Sequence, residues 1–145
     1  MTGSYPSIVV RVVCALLSPF VLLYGLYIIV HGHYGPGGGF AGGVFVASAA
    51  ILPRLTLPDR VSYDLIPPVA GPIAAGVGLL IYLLAAVVPL LSGAALLDYH
   101  AFAIPGMDLA HVRYYAILAV EIGVGIAVAG AILMIFDVLT ERSGT

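Results

Sequence analysis

One carboxylate, Glu121, stands inside an apolar run that reads from about Val112 to Leu139. With a helical rise of ~1.5 Å per residue it lies roughly 13 Å into that run. An acid at such a depth in hydrocarbon is costly unless it is protonated, paired or turned to a wet cavity. Its available chemistry is to take up and release a proton, or to hold a cation. The competing role is a structural hydrogen bond to a neighbouring helix or subunit. Gly125 and Ala129 follow at one-turn intervals, so the stripe that carries Glu121 is small. Asp137 falls near the far end of the run, and no second acid or base inside a span completes an internal relay. Further stations for a moving ion are therefore expected on other chains.

His31 and His33 are the other candidates for an ion or proton path. Two residues apart, they point to different sides of a helix, and no carboxylate or cysteine lies near them in sequence. Titration near neutral pH at a membrane interface, or a hydrogen bond to backbone, suits them better than a metal. Asp98, His100, Asp108 and His111 fall in a longer polar loop and read as solvated. Cys14 is the single cysteine, so an internal disulfide and a cysteine-rich cluster are both excluded. No lysine is present, which removes the Walker A loop, the Schiff-base lysine and the Ser–Lys dyad. With no nucleophile–base pair and no metal set, an enzyme is not expected, nor any cofactor. A net charge of −2 without a basic run excludes nucleic acid.

The most unusual segment is His31-Gly-His-Tyr-Gly-Pro-Gly-Gly-Gly-Phe-Ala-Gly-Gly-Val44. Gly35 and Pro36 make a sharp turn between antiparallel helices. Gly37, Gly38 and Gly39 bring bare amides to the start of the next helix, where N–H groups lack partners and the dipole is positive. An anion suits that position. The plainer reading is a turn followed by a closely packed glycine face that includes Gly42 and Gly43. Small residues four apart recur as Gly38/Gly42, Gly39/Gly43/Ala47, Gly71/Ala75 and Gly125/Ala129. So many packing faces exceed what a small bundle needs, and a larger complex is the natural use for the surplus.

These residues must be positioned by helices in lipid. The chain is 62% apolar and 8% charged, with a mean hydropathy of +1.17, too little charge to cover a water-facing surface. A span needs about 20 mainly apolar residues, and four segments qualify: about 8–30, 38–57, 69–91 and 112–139. The expected fold is an all-α membrane protein, a bundle of four transmembrane helices in a single domain over residues 1–145. Tight turns or loops are expected at His31–Gly37, Pro58–Ile66 and Ser92–His111. The first run is too long, and ends too polar, for a cleaved signal peptide. Arg11, Arg54, Arg60 and Arg142 gather on one side against Arg113 on the other, which places both termini in the cytoplasm.

The run HGHYGPGGGFAGGVFVASAAIL resembles the glycine-rich signature of the MnhB family, a small subunit of the Mrp-type multisubunit Na⁺/H⁺ antiporters. The likeness continues through a third helix, a loop with Ile104-Pro105-Gly106, and a last helix reading Glu121-Ile-Gly-Val-Gly-Ile-Ala-Val-Ala-Gly130. It implies a small subunit of a multisubunit monovalent cation (Na⁺)/proton antiporter in a prokaryotic inner membrane. Its partners would be larger ion-translocating subunits, the lipid bilayer, and the exchanged cation and protons. An equivalent subunit of a redox-driven, complex I-like or membrane-bound hydrogenase ion pump is the alternative. A stand-alone channel fits less well, because one buried acid makes a poor pore lining.

Overall fold

The structure is a computed structural model that describes residues 6–32, 34–35, 37–99 and 108–143, the last three without their side chains. It is helical throughout, with no strand among the described residues. The elements are α1 (Ile8–His31), α2 (Gly39–Thr56), α3 (Asp59–Leu65), α4 (Ala70–Leu91) and α5 (Leu109–Ser143). Four helices are long and apolar enough to cross a membrane. The starts of α1 and α2 have local chemical reasons. Ser7 caps α1 by accepting from the Val10 N–H. Gly38 precedes α2 at a φ of 109°, a conformation that a side chain would strain.

The span starts and ends fall within a few residues of the expected ones, with two differences. Residues 58–66 are not a simple loop. Pro58 followed by Asp59 starts the short helix α3, and Pro67 lies just beyond its end. Its seven residues, DRVSYDL, are too short to span by themselves and lead into α4. The second difference is α5, which begins at Leu109 rather than Val112 and runs for 35 residues. At ~1.5 Å per residue that is about 52 Å, well beyond a hydrocarbon core of about 30 Å.

α2 and α5 form the central pair of the bundle, with α1 packed on α2 and α4 packed on α5. Glycine makes every one of these seams close. Between antiparallel α1 and α2, a Cβ at Gly42 would lie 2.7 Å from the Gly25 carbonyl, and one at Gly25 3.0 Å from that of Gly42. Between α2 and α5, one at Gly43 would lie 2.6 Å from the Gly125 carbonyl, and one at Gly39 would strike that of Glu121. Between antiparallel α4 and α5, Gly71 meets Gly130 and Gly78 meets Gly123 in the same way. The small faces expected to be left over for other chains are thus spent inside this one. α2 uses two of them, Gly42 toward α1 and Gly39 with Gly43 toward α5. The outer helices instead present apolar side chains: on α1 only Gly25 and Ile29 are buried.

Pro53, inside α2, has no N–H to give the carbonyl of Ala49. Ser18 of α1 supplies the missing donor, its hydroxyl bonding to the Ala49 oxygen at 2.9 Å. Without water, a freed carbonyl needs such a partner from a neighbouring helix.

Candidate functional site

Glu121 and the glycine segment, far apart in sequence, come together in the fold. The carboxylate oxygen Oε1 lies over the turn between α1 and α2. A Cβ at Gly32 would come within 2.8 Å of it, and one at Gly38 within 3.8 Å. Gly39 packs on the backbone of the same residue. The carboxylate therefore stands beside the N-terminus of α2, whose partial positive charge and free amides suit an anion. The side chain of Glu121 thus stands over the glycines at the start of α2.

This contact gives the height of Glu121 within the bundle. Glu121 is level with the beginning of α2, and α5 extends past it by about three turns, ~18 Å at ~1.5 Å per residue. Tyr114, two turns earlier on α5, is hydrogen-bonded through its side chain to Tyr34 of the turn. Their rings are 6.2 Å apart, and Tyr115 meets Tyr114 edge-on at 5.3 Å.

His31 is exposed at the end of α1. Its ring stacks on Tyr27 at 4.2 Å, and its Nδ1 lies 3.2 Å from the Tyr27 carbonyl. Its contacts are thus with the preceding turn of its own helix. His33 and Pro36 lie outside the described residues, as do His100 and the Ile104-Pro105-Gly106 loop. Gly37 is exposed, with the Ile28 side chain 3.1 Å from where its Cβ would be.

The sequence reading missed two features. The first is Gly32, hidden between two histidines; a Cβ there would meet both the Gly38 backbone and the Glu121 carboxylate. The second is a buried ion pair at the opposite end of α2. Arg54 Nε lies 3.0 Å from Asp137 Oδ1, with side-chain exposures of 4% and 7%. One terminal N–H of Arg54 donates to Asp137 Oδ2 at 3.1 Å, and the other to Ser62 Oγ at 3.3 Å. The Nε contact is a charge contact rather than an aligned hydrogen bond. The guanidinium also stands 4.4 Å from the centroid of the Tyr63 ring, within cation–π range. Asp137 is therefore not an isolated acid at a span's end, and Arg54 is not a free surface charge. Opposite charges near the ends of two spans were the only signal in sequence, and nothing there paired them.

Glu121 and Asp137 are some four and a half turns apart on α5, ~24 Å at ~1.5 Å per residue. The bundle thus holds one polar cluster at each end and apolar, glycine-packed seams between.

Comparison with known proteins shows the family. A family model described as a domain related to the MnhB subunit of Na⁺/H⁺ antiporter matches residues 9–134. A Na⁺/H⁺ antiporter subunit of Bacillus subtilis (strain 168) is 29% identical over 138 residues, 94% of each chain. A Staphylococcus aureus (strain MRSA252) protein named for antiporter subunit mnhB2 is 29% identical over 129 residues, 89% of this chain and 91% of that one. The match takes in the glycine turn, Glu121, three of the long helices almost whole and α5 as far as residue 134, and by it this chain belongs to the family of domains related to the MnhB subunit of Na⁺/H⁺ antiporters.

Proposed function

We propose that the chain is a small membrane subunit of a multisubunit monovalent cation (Na⁺)/proton antiporter, and that Glu121 takes part in its ion or proton path. The observation that carries this reading is the Glu121 carboxylate seated on the glycine turn, in a chain of this family. Close glycine packing leaves no room for a water path along the α2–α5 seam. An ion that reaches Glu121 therefore arrives from outside this chain, past the turn that bears His31 and His33. The other walls of that path belong to partner subunits, which supply the main translocating groups. The complex resides in a prokaryotic inner membrane with both termini of this chain in the cytoplasm.

Two variants test the role of Glu121, because Gln keeps its shape and hydrogen bonding but carries no exchangeable proton. In the complete complex, Glu121→Gln and Glu121→Ala are both expected to abolish Na⁺-dependent proton movement in membrane vesicles, while partner subunits still co-purify. Normal exchange by a fully assembled Glu121→Gln complex would reduce Glu121 to a structural hydrogen bond. Purification in mild detergent checks the wider reading: partner subunits are expected, and a lone homo-oligomer would overturn it.

A further inference from the structure

We propose that the buried Arg54–Asp137 pair is a register lock, a pair of positioning residues that fixes α2 against α5 and so keeps Glu121 on the glycine turn. The consequence for exchange rests on the role proposed above for Glu121; the lock itself does not. α2 and α5 run parallel. Gly39 abuts Glu121, Gly43 abuts Gly125 and Arg54 meets Asp137, so one offset, constant to within a residue, holds from end to end of the seam.

Glycine contacts alone specify that height weakly. Small residues recur every fourth position on both helices, as Gly39, Gly43 and Ala47 on one and Gly125 and Ala129 on the other. A slide of four residues, ~6 Å at ~1.5 Å each, again sets small residues against small ones. The ion pair does not tolerate the slide. In one direction Arg54 comes level with Leu133, which is 6% exposed; in the other, Asp137 comes level with Ala50. Either way a buried charge loses its partner, which is far costlier than a misfitted apolar contact. The same slide would carry Glu121 away from Gly32 and Gly38. Ser62 and Tyr63 hold the guanidinium from a third side. That contact ties α3 to the pair.

A pair that merely fills space is replaceable by apolar residues; a lock is not. The test uses the whole antiporter complex with Arg54→Met/Asp137→Leu in this chain, and separately the reversed pair Arg54→Asp/Asp137→Arg. Spin labels on cysteines placed at Leu55 and Leu109, both exposed and separated by ~40 Å mainly along the helix axes at ~1.5 Å per residue, in a Cys14→Ser background read the α2–α5 offset directly. The apolar pair is expected to assemble, to broaden or shift the label distance by about 5 Å, one turn, and to lose exchange. The loss would be about ten-fold if one complex in ten keeps the native register. The reversed pair is expected to restore both the native distance and most of the exchange. A native distance in the apolar pair, with or without exchange, would overturn the lock, as would failure of both variants to assemble. A shifted distance with normal exchange would keep the lock and overturn the role of Glu121.

Discussion

At the scale of single residues, the glycines differ in what their missing side chains make room for. Gly76 has open space around its would-be Cβ, whereas Gly32 has the Gly38 backbone and the Glu121 carboxylate there. Gly76→Ala is therefore expected to leave assembly and exchange unchanged. Gly32→Ala should lower exchange, because the Gly38 backbone stands nearest to the new methyl group and must shift, taking the start of α2 away from the Glu121 carboxylate. Gly39→Leu and Gly43→Leu go further, since each drives a side chain into α5 backbone; overpacking of this kind costs about 1–3 kcal/mol or more. Partner subunits recovered with an affinity-tagged chain measure the effect. Loss of recovery is expected for both, and the cause is failure of this chain's own α2–α5 seam rather than of a contact with another subunit. Full recovery would mean that the seam can open without cost.

At the scale of elements, α2 is the most dependent on its neighbours. It is short, interrupted by Pro53, and flanked by close-packed backbone on both sides. The Ser18 hydroxyl stands in for the amide that Pro53 lacks. Ser18→Ala leaves the Ala49 carbonyl without that donor and is expected to lower stability by about 0.6 kcal/mol, at most about 1.7. A thermal melt of the purified complex would register this as a small drop in Tm, with Ser18→Thr close to the parent. An equal melt for Ser18→Ala would show that the carbonyl finds another donor. The proline, the serine and their helices were legible in sequence. That the serine reaches the carbonyl freed by the proline was not, because the angle and height of α1 on α2 are set by Gly25 and Gly42 meeting.

At the scale of the whole molecule, the Arg54–Asp137 pair alters the argument for orientation. A guanidinium neutralised inside the bundle no longer counts as a loop charge, which leaves Arg11, Arg60 and Arg142 against Arg113. The bias keeps its sign, and reporters fused to either terminus are expected to score as cytoplasmic. A C-terminus on the outer side would undo the four-span path. The outward faces of α1 and α4 are almost wholly apolar, and lipid or apolar helices of partner subunits are the solvents that fit them.

Number of spans, membrane setting and family membership followed from the chain itself, since each depends on local properties: run length, scarcity of charge, and a contiguous glycine motif. The opening of α2 at its glycines and of α4 after the Pro67-Pro68 pair followed in the same way, whereas α3 and the early start of α5 at Leu109 did not. Tertiary structure alone decided which helix each glycine face would meet. Periodicity marks a small stripe but carries no information about its partner, so Gly39 and Gly43 could have served another chain as readily as α5. It also decided that Glu121 stands on the glycine turn and that Arg54 and Asp137 neutralise each other. Both are contacts between residues more than eighty positions apart, brought to one height by the parallel packing of α2 on α5, and such a height belongs to two helices together rather than to either sequence.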